Sequence, residues 1–297
     1  MTLWLWVFLR IVANPFSNVF QKILTRKTAD PLSIICIPLG LLAIASLPAL
    51  VWLPPLHRAF WLNISICTVL AVLGNTLLVE AVKRSDLSVL GPINAYKSVV
   101  SLLPGMLLLG EVPRPAGLAG IALIVAGSYF ILDKNVSEPR RNVFVRFFRD
   151  RGIQFRFAAL FFSAIEAVFL KKALRASNPL ATFVFWSILG FGLSAAGIGL
   201  LFTRAKMADQ IATGRANWKP FLMLGLTTAL MQLGTLITFE ALQVGYSLAL
   251  FQTSTLLSVF LGHRLFREGH FLERLIGSII MMAGAALIIV AGAHGPS

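Results

Sequence analysis

The sequence predicts an all-α integral membrane protein of ten transmembrane helices, arranged as two five-helix halves. Three observations predict this fold: a low content of charged residues, ten long apolar runs, and an internal repeat. Of the 297 residues, 57% are hydrophobic and 13% are charged, and this charged fraction is about half that of an ordinary soluble domain. Such a composition indicates a chain whose solvent is a lipid bilayer. Ten spans would leave residues only for short loops.

The apolar runs define ten predicted spans, each about 20 residues long, the length that a helix needs to cross a bilayer. Closed β-barrels require alternating strands of about ten residues, which this sequence lacks, so the spans are predicted to be helices. In chain order, the predicted spans are 3–23, 31–53, 59–81, 87–109, 115–133, 154–174, 179–203, 218–241, 246–264 and 272–293.

The chain segments on either side of a central basic loop resemble each other. VFQKILTRKTADPL at 19–32 matches VFLKKALRASNPL at 168–180 with one gap, and LLVEAV at 77–82 resembles ITFEAL at 237–242. We therefore expect a first repeat at 1–133, a connecting loop at 134–152 and a second repeat at 153–297. Because five is an odd number of spans, the second repeat is predicted to be inverted, a common geometry for alternating access.

Lysine and arginine residues are distributed unevenly between the two sides of the predicted bundle. The loops after the odd-numbered spans, with their flanks, carry 19 basic residues, including Lys22, Arg156 and Arg274, against 5 on the other side. The positive-inside rule then places the odd loops in the cytoplasm and both termini outside it. The net charge of +14 is interpreted as this orientation signal, and nucleic acid is not an expected partner, because the basic residues are scattered between apolar runs.

A longer pattern occurs once in each half. A span begins after Ala81 or Ala241 and runs to Glu111 or Glu268, and a helix with paired glycines follows, Gly120 and Gly127 or Gly277 and Gly284. This pattern resembles the EamA-like domain of the drug/metabolite transporter superfamily, two copies of which form its ten-helix members. The glycine pairs are interpreted as positions of close helix packing, and the two glutamates as structural partners of the helix N-termini that they precede.

The resemblance implies two inverted five-helix repeats around a central cavity lined by helices 1, 3, 4, 6, 8 and 9. It also implies export or exchange of a metabolite, such as an amino acid, a nucleoside, a sugar or a derivative, across a bacterial inner membrane. The sequence departs from the family in two respects. Many relatives carry a proline in the region of Lys97, and ten-helix relatives usually have cytoplasmic termini, where the charge count predicts the opposite.

Strongly polar residues away from the span ends occur in six of the ten predicted spans. A charged side chain at the bilayer centre costs roughly 2.5–3.5 kcal/mol or more, so such residues usually face a cavity or a partner. Their helices are the six that the resemblance places around the cavity. The predicted substrate-binding residues are Arg10, Asn14, Asn75, Asn94, Lys97, Glu166, Gln232 and Gln252.

Two of these residues allow more than one interpretation. Lys97 lies near the middle of its span and could anchor a carboxylate or phosphate of the substrate; it could also form a structural ion pair with Glu80, Glu166 or Glu240, or extend to the interface. Glu166 could couple transport to protons, or balance the charge of Lys171 and Lys172 nearby in sequence. Glu80 and Glu240 are predicted to be interfacial or structural residues.

We expect a secondary transporter of a small, anionic or zwitterionic metabolite that works by alternating access among membrane lipids. Protons are the expected coupling ion, no cofactor or metal site is predicted, and the protein is expected to be a monomer or homodimer. Two alternatives stay open: a flippase of lipid-linked sugars, and a membrane-embedded lipid-modifying enzyme. An enzyme would need clustered histidine, aspartate or nucleophilic residues at one interface, and the sequence shows no such cluster.

Overall fold

The computed structural model describes residues 2–27, 29–97, 100, 115–131, 149–242 and 244–293, and every regular element in these ranges is helical. A short 3-10 helix, Leu47–Trp52, extends α2. Most of the connecting loop, the second half of the fourth predicted span and Glu111 lie outside the described residues. The helices are α1 (Thr2–Arg26), α2 (Pro31–Ser46), α3 (Arg58–Arg84), α4 (Leu87–Ile93), α5 (Pro115–Ile131), α6 (Arg151–Arg175), α7 (Pro179–Leu201), α8 (Arg204–Ala216), α9 (Trp218–Ala241), α10 (Val244–Gln252), α11 (Ser254–Phe266) and α12 (Phe271–Ala293).

Six segments of the described chain are long and apolar enough to cross a bilayer: α1, α2 with its 3-10 extension, α3, α6, α7 and α9. These agree with the predicted spans to within a few residues. The count of ten spans is not confirmed. The fourth and ninth predicted spans are broken, the helix of the fifth (α5) has only 17 residues, and that of the tenth (α12) is not one of the six segments. The chain is nonetheless a multi-pass membrane protein by the length and composition of its helices.

Several helices begin at a side chain that caps the free backbone N–H groups of the first turn. The Asp30 carboxylate accepts a hydrogen bond from the Leu32 N–H at 2.9 Å before α2, and Asn178 accepts one from the Ala181 N–H at 2.8 Å before α7. Both caps are followed by a proline, whose fixed φ suits the first helical position. These local signals fix where the apolar helices start.

The segment after α7, predicted to be a loop, instead forms the polar helix α8. It begins at the N-cap Thr203, whose hydroxyl accepts a hydrogen bond from the Lys206 N–H. The Lys206 ammonium lies 2.8 Å from the Asp30 carboxylate, and Gln210 accepts a hydrogen bond from the Asp30 N–H at 2.7 Å. The loop prediction was wrong because α8 is held by capping and polar contacts with the start of α2, which hydropathy does not detect.

The fourth and ninth predicted spans are both interrupted. Two tight turns follow Pro92, with the Asn94 N–H bonded to the Gly91 carbonyl and the Ala95 N–H to the Pro92 carbonyl. In the second half, a break at Thr253 separates α10 from α11. The breaks face each other: the Gln252 amide donates to the Asn94 carbonyl at 3.2 Å and accepts from the Asn94 amide at 3.4 Å. Interrupted helices of this kind are found where a membrane protein lines a cavity.

The most extensive helix contacts join the first half of the chain to the second. They pair α1 with α9, α3 with α6, α2 with α7, α4 with α11, and α5 with α12. If spans one to five correspond to spans six to ten, exchanging the halves leaves this set of pairs unchanged, as two similar repeats require.

Glycines permit the closest of these approaches. A Cβ atom at Gly284 would lie 2.6 Å from the Gly120 carbonyl oxygen, and one at Gly127 would lie 2.8 Å from the Gly277 carbonyl oxygen. The backbones of α5 and α12 therefore touch through these four residues. The interpretation of the glycine pairs as close-packing positions is confirmed.

A cluster of buried charges fastens the two halves together where α1 ends and α4 and α12 begin. The Lys22 ammonium donates to the Glu268 carboxylate at 2.8 Å, and the Arg274 guanidinium lies 3.2 Å from the Asp86 carboxylate and donates to the Ser88 hydroxyl. Lys22, Glu268 and Arg274 are 7%, 6% and 3% exposed. We call these five residues the interlock.

The interlock changes two expectations. Glu268 does bind a helix N-terminus, but it accepts hydrogen bonds from the Leu87 and Ser88 N–H groups of α4, at 3.0 and 2.9 Å, and not from the first turn of α12 that it precedes in sequence. Lys22 and Arg274 are buried partners of this carboxylate and not loop charges. Removing them from the charge count leaves the bias that predicts orientation in place.

Glu268 is held in its ionised form by these contacts. Burial by itself would raise the pKa of Glu268, but the hydrogen bond and charge of Lys22, with the hydrogen bonds from Ser88, outweigh burial and lower it below its ordinary value. A carboxylate that accepts several hydrogen bonds from charged and backbone donors favours its charged form.

Candidate functional site

A central cavity of about 160 Å³ lies between the two halves. All eight predicted site residues line it. Arg10 and Asn14 come from α1, Asn75 from α3, Asn94 and Lys97 from the chain just after α4, Glu166 from α6, Gln232 from α9 and Gln252 from α10. The volume is comparable to that of an engineered protein cavity of ~150 Å³ that holds benzene. The cavity thus suits a small solute.

The cavity wall also includes helices that the family resemblance did not imply. Leu39 on α2 and Trp186 on α7 both line it, and Trp186 is 4% exposed. These helices supply mostly apolar surface, so no strongly polar residue in their sequences marks them as part of the cavity wall. The indole N–H of Trp186 is their main polar contribution.

Arg10 is fixed on the α9 side of the cavity. α1 approaches α9 closely at Gly234, where a Cβ atom would lie 2.7 Å from the Arg10 Cβ atom. The Arg10 Nε–H donates to the Thr235 hydroxyl at 3.3 Å, and the guanidinium carbon lies 4.0 Å from the centre of the Phe251 ring. A cation over an aromatic face in a desolvated site gains about 2 kcal/mol, so the guanidinium is held in one place.

Lys97 contacts the opposite wall. Its ammonium donates to the Ser163 hydroxyl on α6 at 2.7 Å. Among the described residues it has no carboxylate within 4 Å, so the alternative of an ion pair with Glu80, Glu166 or Glu240 is not realised as a direct contact. Glu80 instead pairs with Arg84 one helical turn away, and Glu240 is exposed.

Glu166 lies on α6 three residues after Ser163, on the same helix face and one turn further along. Among the described residues, its carboxylate has neither a hydrogen bond nor an ion pair within 4 Å, although it lines the cavity. Lys171 does not balance its charge directly, because the Lys171 ammonium is hydrogen-bonded to the Phe239 carbonyl at the end of α9. Glu166 is thus an acceptor available to a ligand.

Arg156 is a cavity residue that the sequence analysis placed in a loop flank. It is 8% exposed, its Nε–H donates to the Leu90 carbonyl at 3.1 Å, and its Nη2–H donates to the Asn94 side-chain oxygen at 3.0 Å. Arg156 therefore supports the break after α4 and orients Asn94. Its position so near the start of α6 made it resemble an interfacial charge.

The amides of the cavity differ in how many partners they have. Asn14 donates to the Ser254 hydroxyl at 3.2 Å, and Asn94 and Gln252 bond each other. By contrast, four buried polar atoms of the cavity wall have no hydrogen-bond partner among the described residues: Arg10 Nη1, Gln21 Oε1, Gln232 Nε2 and Trp186 Nε1. Because buried polar atoms in proteins are nearly always paired, these four indicate a surface completed by a bound solute or water.

Among the described residues, the charged side chains that line the cavity are three basic ones, Arg10, Lys97 and Arg156, and one acidic one, Glu166. An excess of positive charge inside low-dielectric walls attracts anions. Charged residues and unpartnered polar atoms around one cavity suit the recognition of a polar solute.

Comparisons with known proteins agree with this description. A profile of the EamA-like transporter family matches residues 2–133 and 150–290, which together are nearly the whole chain. A solved crystal structure is similar to the present one with a TM-score of 0.61 at 16% sequence identity, covering 99% of each chain. That likeness shows a shared fold. No curated protein matches the sequence.

Proposed function

We propose that this chain, which belongs to the EamA-like transporter family, carries a small anionic or zwitterionic metabolite through its central cavity by alternating access. Its family makes it a membrane transporter of the drug/metabolite type. We infer the substrate class and the mechanism from the cavity.

The observation that carries the proposal is the depth of the polar residues. Glu166 lies 15 residues after the start of α6, Gln232 lies 14 residues after the start of α9, and Arg10 lies 16 residues before the end of α1. At 1.5 Å per residue these are all about 21–24 Å from the same side of the bundle, in helices about 37 Å long. Such a level near the bilayer midplane is where secondary transporters bind their substrates.

The depth of the polar residues and the volume of the cavity argue against the two alternatives. An enzyme acting on lipids would place its polar groups at an interface, where lipid head groups lie. A flippase of lipid-linked sugars would need room for a much larger head group than a cavity of about 160 Å³ provides. A small solute enclosed at mid-depth fits both observations.

Glu166 is the proposed coupling residue. It is an acidic residue without a fixed partner among the described residues, in a cavity that also holds Arg10 and Lys97. A carboxylate in this setting can take up a proton when the substrate leaves, which would couple solute movement to a proton gradient. We further propose, from the charge distribution, that the protein resides in a bacterial inner membrane with both termini outside the cytoplasm.

Transport can be tested with the purified protein in lipid vesicles. Uptake and counterflow of labelled organic acids, amino acids, nucleosides and sugars should show saturable flux for at least one solute. If folded protein in tight vesicles gives no saturable flux for any solute in these classes, the proposal is wrong.

Helix α3 offers a matched pair of variants. The Asn75 amide, in the cavity, donates to the Ala71 carbonyl at 2.8 Å; the Asn63 amide, outside it, donates to the Ala59 carbonyl at 2.6 Å. The same local bond is lost in Asn75→Leu and Asn63→Leu. Flux should fall about 2- to 12-fold in Asn75→Leu, the range for one lost hydrogen bond, and stay unchanged in Asn63→Leu. Equal effects would show that the cavity is not the transport route.

A further inference from the structure

We infer that Arg10 and Gln232 together form a subsite for a single carboxylate group of the transported solute. The inference rests on the proposed function and names the part of the solute that the cavity recognises first. It is carried by two hydrogen-bond donors, Arg10 Nη1 and Gln232 Nε2, that are buried in the cavity wall and have no partner among the described residues.

The geometry brings these two donors to one place. Arg10 is anchored to Thr235 by its Nε–H at 3.3 Å and by the Phe251 ring beneath its guanidinium. Gln232 lies three residues before Thr235 on α9, so the two share one helix face, one turn apart. The free Nη1 of Arg10 and the amide nitrogen of Gln232 therefore line neighbouring points of the same wall.

Both donors are strongly desolvated. Gln232 is 5% exposed, and the unpartnered atoms of both side chains are shielded from solvent. Leaving a buried donor unpaired is costly, and more so when it is charged. A ligand that offers acceptor oxygens at this point therefore gains both hydrogen bonds without displacing any bond within the described protein.

The number and charge of the donors favour a carboxylate. Two donors match its two oxygens, and one guanidinium matches its single negative charge. A phosphate ester has three terminal oxygens and nearly twice the charge, so it would leave acceptors unpaired here. A cationic group would be repelled by the Arg10 guanidinium.

The other two cations of the cavity are less available. Lys97 already donates to Ser163, and Arg156 donates to the Leu90 carbonyl and to the Asn94 side chain. Asn94 is in turn held by Gln252. We therefore assign the role of carboxylate anchor to Arg10 and not to Lys97, for which the sequence had suggested it.

The test uses ligand-induced thermal stabilisation of the whole protein in detergent. The probes are the twenty amino acids and the C2–C6 monocarboxylates, each compared with its own primary amide, and inorganic phosphate, all at constant ionic strength. We expect at least one acid to raise the Tm while its amide and phosphate do not. Acids that stabilise no better than their amides, or no stabilisation by any probe acid, would overturn the inference.

Variants then locate the binding site of the stabilising acid. Gln232→Leu and Arg10→Gln should each weaken its binding about 10- to 150-fold, the range for a lost bond to a charged group, and Gln232→Glu should abolish it by repulsion. Lys83→Gln, which removes an exposed charge from α3, should leave it unchanged. If Arg10→Gln does not fold, the two Gln232 variants decide the matter, since acid binding that survives both contradicts the subsite.

Failure of the subsite and failure of transport are distinguishable. Saturable flux of a solute without discrimination between acid and amide would overturn the subsite and leave the transport proposal intact. Acid binding that depends on Gln232, in a protein that gives no saturable flux of any tested solute in vesicles, would support the subsite and contradict transport.

Discussion

Replacing Glu268 by glutamine should destabilise the protein more than any single change to an exposed acidic residue. The two carboxylate oxygens accept separate bonds, the Leu87 N–H and Lys22 on one, the Ser88 N–H on the other. A glutamine has one acceptor oxygen, so its NH2 group would face a donor. It would also remove the buried counter-charge of Lys22 and Arg274, and leave them only the half-exposed Asp86 carboxylate.

The size of the effect follows from the burial of all three charges. Breaking a buried ion pair by removing one partner costs about 3–5 kcal/mol, because an uncompensated charge is left inside the protein. At roughly 2 °C per kcal/mol for a chain of this length, the Tm in detergent should fall by about 6–10 °C. Intrinsic tryptophan fluorescence during heating measures it.

A control lies five residues away. Glu273 is 41% exposed and pairs only loosely with His270, at 3.8 Å, so Glu273→Gln should change stability by less than about 0.5 kcal/mol, or about 1 °C. If Glu268→Gln lowers the Tm no more than Glu273→Gln, the interlock does not hold the two halves together and the reasoning is refuted.

Three further predictions concern packing, pH and topology. Gly284→Ala should cost about 1–3 kcal/mol, since its Cβ would meet the Gly120 carbonyl at 2.6 Å. By contrast, a Cβ at Gly192 would meet no atom of the described residues within 4 Å beyond its own helix backbone, so Gly192→Ala should be neutral or slightly stabilising; comparing the Tm values of the two variants checks this. The pKa of Glu268 is lower in the folded chain than in the unfolded one. The contribution of ionised Glu268 to the free energy of unfolding is therefore complete above the unfolded pKa of about 4.3 and is lost as the pH falls through the folded pKa. As a result, the Tm of the wild type should fall more steeply in acid than the Tm of Glu268→Gln. A C-terminal reporter that works only in the cytoplasm should be inactive, and an active one would reverse the assigned orientation.

That these eight residues line one cavity could be predicted, because a strongly polar group at membrane depth needs a compensating environment. Arg10 and Glu166 are unusual in their spans from hydropathy alone, and the cavity contains both. Arg156 and Lys22 could not be found in this way. Each lies within a few residues of a span end, where a basic residue ordinarily contacts head groups, and only the tertiary contacts show that both are buried.

The limits of the fold prediction have a similar cause. Hydropathy is continuous across Asn94 and Thr253, so a sliding window detects neither helix break, and Pro92 is the sequence signal of the first one. The polar helix α8 is stabilised by capping and by its contacts with Asp30, neither of which contributes apolar residues. The pairing of helices depends on which helix faces pack against each other. A single sequence shows where a helix has such a face, but not which other helix packs against it.

The pairing of helices across the two halves has a consequence for how the protein is made. Spans are inserted in chain order, yet α1 makes its most extensive contacts with α9. The hydrogen bond from Arg10 to Thr235 can form only after 225 further residues have been synthesised. Contacts so distant in sequence form slowly, and association of inserted helices is a stage separate from insertion. Until α9 has been synthesised, the polar face of α1 lacks the helix against which it packs. Until α12 has been synthesised, the Lys22–Glu268 ion pair lacks Arg274. The nascent first half is therefore the species most exposed to membrane chaperones and proteases, and the two halves made as separate chains should mature only when they are produced together.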